Sequence, residues 1–147
     1  MREHDIYIQI ADYLRYQHPQ VIYRFDLAAD LKLTMGQASK HKRLQRYRGY
    51  PDLFIAEVRE SPLMDAHDEE IYDSQRFYHG LFIELKRQGT RIFKKNGTLV
   101  ADAHIREQFD MLEELRQRGY AAEFACGFDE AKKLIDDYMK GRYAHAD

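Results

Sequence analysis

Two runs decide the fold: Gly49-Tyr50-Pro51-Asp52-Leu53-Phe54-Ile55-Ala56-Glu57-Val58 and Gly80-Leu81-Phe82-Ile83-Glu84-Leu85-Lys86. The second is apolar enough to lie in the middle of a sheet. The first reads as a strand over 52–58, with proline at its start, where a strand tolerates it. Both put charge on segments that otherwise look buried. Side chains alternate along a strand, so Glu84 and Lys86 share a face and Leu85 takes the other. If the two strands pair as a hairpin, Asp52 sits beside Glu84. A carboxylate or an ammonium inside a sheet costs several kcal/mol to desolvate unless it is paired or binds a metal.

Outward from this pair, the chain alternates helical and extended patterns. Residues 5–17 carry Ile6, Ile8, Ile10, Tyr13 and Leu14, a short amphipathic helix ending before His18-Pro19. Val21 to Phe25 reads as a strand. Residues 36–47 are polar and basic, a helix or an ordered loop. Residues 59–79 read as an acidic insertion holding Glu60, Asp65, Asp68, Glu69, Glu70 and Asp73. Residues 87–101 are basic and contain glycine, which suggests a loop or hairpin. From Asp102 to Arg118, Ile105, Phe109, Leu112 and Leu115 recur every three or four positions, with Asp102 as cap and Gly119 as stop. Tyr120 to Cys126 is a last strand and Asp129 to Lys140 a last helix, leaving 141–147 as a flexible tail. The expected architecture is α/β: a restriction-endonuclease-like core with a small mixed sheet flanked by helices, in the order α-β-β-β-α-β-α. The strand 80–86, the long helix and the strand 120–126 make a parallel crossover unit.

Composition narrows the function classes. The chain has 147 residues, 44% of them hydrophobic and 33% charged, which is one ordinary globular domain. Lys and Arg number 23 against 25 Asp and Glu, so the net charge is −2 and nucleic-acid binding must rest on how charge is distributed. The single cysteine, Cys126, excludes an internal disulfide framework and a cysteine zinc site, and reads as a small buried apolar residue. Reduced cytoplasm is the expected compartment. No apolar run approaches the roughly 20 residues of a membrane helix. The seven histidines show no pair at helical metal spacing, so none is assigned to metal.

Two converging carboxylates with a lysine two residues on suit phosphodiester hydrolysis. Carboxylate oxygens bind Mg²⁺ while leaving positions for water and phosphate. The backbone carbonyl of Leu85 is a natural further ligand. Lysine can hold the attacking water or stabilise charge developing on phosphate. From Glu-x-Lys alone, an edge-strand ion pair is the better explanation. Gly-x-Pro-Asp, strand, insertion, strand and then Glu-x-Lys is far more specific and favours a site.

These residues, together with Gln108 on the following helix and the run Arg118-Gly119-Tyr120 leading to Gly127-Phe128-Asp129-Glu130-Ala131, resemble the VRR-NUC branch of the PD-(D/E)XK nuclease superfamily. The resemblance covers residues 49–140 and, more loosely, the first helix. It implies that Asp52 and Glu84 bind Mg²⁺ or Mn²⁺, that Lys86 is the catalytic lysine, and that Gln108 lies near the water or the metal. It also implies an acid on the first helix near Ile8-Gln9, for which this chain offers Asp5 or Glu3. The implied activity is that of a metal-dependent DNA endonuclease of phage or bacterial type. Stand-alone relatives act on four-way junctions as homodimers, which implies branched DNA, such as a Holliday junction, as substrate. An exonuclease or restriction-like enzyme shares the same chemistry. From a different class, a non-catalytic nuclease-fold module binding DNA or protein is the contrasting expectation.

Charge distribution places the DNA. Lys40, Lys42, Arg43, Arg46 and Arg48 precede the site, and Arg87, Arg91, Lys94 and Lys95 follow it. One charge run is usually a solvated face, but two runs flanking one site point to phosphate binding. Tyr47 and Tyr50 could stack on a splayed base, although core or rim packing is the commoner use of so many tyrosines.

Overall fold

The computed structural model describes residues 3–26, 31–64 and 70–145. The elements in chain order are α1 (Glu3–Gln17), β1 (Tyr23–Phe25), α2 (Met35–Leu44), β2 (Leu53–Ile55), β3 (Arg59–Met64), β4 (Glu70–Tyr78), β5 (Leu81–Lys86), α3 (Ala103–Gln117), β6 (Ala121–Cys126) and α4 (Phe128–Met139). The main sheet has the order β1-β2-β5-β6. Its first three strands are antiparallel neighbours, and β6 joins β5 in parallel through α3. The mixed α/β core flanked by helices is therefore the architecture expected from sequence.

All six residues of β5 are buried, because the sheet is covered on both faces. On one face Ile6, Ile10 and Leu14 of α1 meet Leu53, Leu81, Ile83 and Leu85 of the sheet and Ile135 and Tyr138 of α4. On the other, Leu112 and Leu115 of α3 cover Phe82 and Ala122, beside Phe54, Tyr120 and Phe124. Strand alternation places Glu84 and Lys86 on the same side as Phe82, the side that α3 covers.

The segment 59–79 is more than an insertion. It forms an antiparallel two-stranded ribbon, β3 with β4, in which Arg59 faces Tyr78 and Ser61 faces Arg76. Tyr78 is buried against Tyr143 at 5.0 Å between ring centroids, and Arg59 Nε donates to the Met139 carbonyl at 3.2 Å, so the ribbon base is tied to the body. The acidic positions Asp65, Asp68 and Glu69 lie outside the described residues. β2 and β5 thus pair antiparallel as expected, but a ribbon joins them rather than a hairpin turn. Residues 141–145, read from sequence as the start of a tail, lie against the sheet: Tyr143 is buried and its hydroxyl donates to Glu123 Oε1 at 2.6 Å. Positions 146–147 lie outside the described residues.

α2 differs from every other helix. Thr34 caps it through a reciprocal pair with Gln37, so its start is well formed. Yet none of its residues is buried, and Met35 and Leu44 are largely exposed. No helix among the described residues is long and apolar enough to cross a membrane.

Candidate active site

The register of β2 on β5 builds the centre. Leu53 pairs with Ile83, so Asp52, one residue earlier, falls opposite Glu84. Asp52 Oδ2 accepts the Leu85 amide at 2.9 Å, which fixes that carboxylate across the gap where strand pairing ends. The N–H and C=O of one strand residue project from the same edge, so the Leu85 carbonyl is directed toward Asp52 as well.

Gly49 explains how the preceding loop reaches this point. Its φ is +73°, and a β-carbon there would meet the Glu107 carbonyl carbon and oxygen at 2.9 Å and the Gln108 nitrogen at 3.0 Å. The loop therefore lies directly on the α3 backbone beside Gln108, and Pro51, itself buried, turns it into β2. Gly49→Ala combines a left-handed backbone with a backbone clash. It should cost about 1–3 kcal/mol, read as a fall in thermal midpoint. An unchanged midpoint would show that the loop does not depend on this contact.

Gln108 belongs to the buried stripe of α3, with Ile105 and Leu112, and is not a solvated helix residue. Its Nε2 donates to Glu84 Oε1 at 2.7 Å. The same nitrogen lies 3.2 Å from His104 Nε2, one turn earlier on α3. Lys86 Nζ is 4.0 Å from Glu84 Oε1, and the ammonium is almost as deeply buried as the carboxylate. Glu84 Oε2 and Gln108 Oε1 are both buried without a hydrogen-bond partner.

Electrostatics follow from this crowding. Burial, and then the neighbouring Asp52 charge, push the Glu84 carboxyl up to about 10, with Lys86 opposing the shift. Near neutral pH the Glu84 carboxyl therefore keeps its proton. Tyr7, which the sequence alone does not single out, reaches the same place. It is buried on α1, its ring stacks on Phe25 at 5.3 Å, and its hydroxyl bonds to Asp52. Burial first and Asp52 second drive its pKa well above the ordinary tyrosine range. Of the two N-terminal acids, Glu3 is the one whose charge is felt at both Tyr7 and Glu84. Asp5 lies two positions on, about 200° around the helix.

The donor set fits a hard divalent cation. Two carboxylates converge, one buried carboxylate oxygen and one amide oxygen have no protein partner, and a strand carbonyl points the same way. Among the described residues no group of three or more His, Cys, Asp or Glu forms a closed cage. A bound ion would take its other ligands from backbone, water and a phosphate, as Mg²⁺ commonly does.

A cleft of about 520 Å³ opens on this centre, lined by Asp52, Glu84 and Gln108 together with His104, Lys42 and Arg48. Two of the expected basic residues therefore meet the site directly. Lys40 and Arg43 are exposed on α2, and Arg46 lines a neighbouring cavity. Arg87, Arg91, Lys94 and Lys95 are exposed beyond β5, the last two in a turn where the Lys94 amide donates to the Thr98 carbonyl at 2.7 Å. Cys126 is half-buried rather than buried, its thiol facing the Thr90 carbonyl at 3.5 Å. His104 was missed by the sequence reading because its role depends on Gln108, and nothing in its own neighbourhood marks it.

No protein-family model matches the chain, and no curated protein does. Among solved structures, one described as a VRR_NUC domain protein aligns with a TM-score of 0.59 and 25% identity. The alignment covers 96% of this chain and 90% of that one.

Proposed function

We propose that this chain, which belongs to the VRR-NUC branch of the PD-(D/E)XK nuclease superfamily, is a metal-dependent DNA endonuclease. The nuclease class comes with the domain; the metal, the residue roles and the substrate are the proposal. The observation that carries it is the pair Asp52 and Glu84, brought together across β2 and β5 with an unpartnered carboxylate oxygen and a buried lysine beside it.

In this reading Asp52, Glu84 and the Leu85 carbonyl hold Mg²⁺ or Mn²⁺. The ion supplies a more acidic bound water and a counter-charge for the phosphate oxygens. Gln108 fixes Glu84 by its 2.7 Å hydrogen bond to Oε1, and Oε2, which has no protein partner, would be the oxygen to hold the ion. The Leu85 amide and the Tyr7 hydroxyl fix Asp52 in the same way. Lys86, buried beside Glu84, holds the attacking water or meets the charge that develops on phosphate. Lys42 and Arg48, in the wall of the cleft, draw the DNA backbone toward the carboxylates. Lys40, Arg43, Arg46, Arg87, Arg91, Lys94 and Lys95 extend that field beyond the cleft. Branched DNA, with two copies of the chain cutting paired strands, is the substrate class that suits a small single domain of this kind.

A cleavage panel tests the proposal: four-way junction, flap, single strand and plain duplex, each with Mg²⁺, Mn²⁺ or chelator. Cutting with either metal and none in chelator is expected, with the branched substrates cut fastest. Folded protein that binds DNA but cuts nothing would return the chain to a non-catalytic binding module.

A further inference from the structure

A second cavity, of about 440 Å³, adjoins the catalytic cleft. Asp26, Gln45, Tyr47, Tyr50 and Asp52 line both, so the two open on the same carboxylate. The walls that belong to the second alone include Arg24, Arg46 and Phe54.

Its aromatic rings are placed unlike those of the core. Tyr50 is 42% exposed, but its ring meets Phe82 at right angles, at 5.6 Å and 86°, and Phe82 in turn stacks on Phe54 at 4.4 Å. The orientation of the Tyr50 ring is thus set by the sheet while much of it stays open. Tyr47, three residues earlier, is 60% exposed. The Arg46 guanidinium lies over its ring, 5.4 Å from the centroid. Arg24 and Arg46 bring two positive charges to the rim, and the Gln45 amide offers a donor and an acceptor.

A flat group with apolar faces, a polar edge and an attached phosphate matches that lining. We propose that the Tyr47–Tyr50 cavity receives an unpaired nucleobase next to the phosphate that is cut. This rests on the nuclease reading and sharpens it: the preferred DNA is already open beside the cut. A base still paired in a duplex is stacked on its neighbours and must leave the stack before an aromatic side chain can meet its face. DNA with a gap, a flap or a branch point presents that face without the cost. Aromatic stacking of this kind does not depend on which base is bound, so little sequence preference is expected.

The test uses DNA with 2-aminopurine at an unpaired position, mixed with the full chain in chelator, where stacking on tyrosine quenches the fluorophore and no cutting intervenes. Quenching is expected with the wild type, lost in Tyr47→Ala and retained in Tyr47→Phe. With Mg²⁺, Tyr47→Ala should slow cutting of open DNA by roughly tenfold to a hundredfold and so narrow the preference for open over duplex DNA. Tyr47 is exposed enough for the alanine variant to fold. No quenching, or quenching that survives Tyr47→Ala, would overturn the base site, and so would equal losses on open and duplex DNA. Tyr47-dependent quenching in a protein that cuts nothing would keep the base site and sink the nuclease reading. Metal-dependent cutting without quenching would do the reverse.

Discussion

Lys86→Ala should remove metal-dependent cleavage, with a loss of at least about 10²–10³-fold, the usual result of deleting one preorganised charge from a reaction centre. The size follows from where the ammonium sits. It is only 9% exposed, 4.0 Å from Glu84 Oε1, at the end of a strand whose six residues are all buried. Water cannot stand in for a charge held there, because the fold admits little of it. Lys86→Arg should not restore the rate, since a planar guanidinium cannot fill the same small volume as a point charge on a flexible stem. DNA affinity should stay near the wild-type value, because the groups drawing the backbone in are Lys42, Arg48 and the exposed basic residues. A variant that folds, binds junction DNA and still cuts at more than a tenth of the wild-type rate would remove Lys86 from the mechanism.

Residues that act through strand geometry were legible in the residues themselves; those that act through a distant partner were not, and Gln108 entered through the family resemblance alone. Asp52, Glu84 and Lys86 stand out because charge on an otherwise apolar strand is costly and because alternation fixes which side it faces. The antiparallel pairing of β2 with β5 followed from the same pattern, even though the connection proved to be a ribbon. That ribbon was hidden by its polar, acidic composition, which a loop shares. The α3 stripe was expected at Ile105, Phe109, Leu112 and Leu115, and the buried positions include Gln108, because its partner Glu84 lies on a strand 24 residues earlier. Tyr7 carried no signal beyond that of a core aromatic, since its hydroxyl partner lies on the Gly49–Asp52 loop. α2 was correctly read as basic, but Met35 and Leu44 gave no hint that the helix would bury nothing.

Glu84→Gln should also abolish cleavage, yet make the metal-free protein more stable at neutral pH, and the two effects share one cause. In the fold, burial and Asp52 raise the Glu84 carboxyl to about 10, whereas an unfolded chain ionises it near 4.5. Below that lower value both states hold the proton and there is no penalty. As pH rises above it, the unfolded chain ionises while the folded one keeps its proton, so stability falls, and the loss continues until the folded carboxyl titrates. By pH 7 the cost is at most about 3.5 kcal/mol, at about 1.4 kcal/mol for each pH unit. Glutamine has no such titration, and it keeps the carbonyl that accepts from Gln108. The variant should therefore melt several degrees higher than the wild type at pH 7 in chelator, and its midpoint should change less between pH 5 and 9. Adding Mg²⁺ should reverse the order: binding to the folded state raises the wild-type midpoint, and the variant lacks the charge that holds the ion. Metal affinity in the wild type should rise with pH for the same reason, because the Glu84 proton must leave before that carboxylate can bind. A Glu84→Gln protein no more stable than wild type in chelator would mean that the carboxyl pair is not strained. The site would then need another explanation for its unpartnered oxygen.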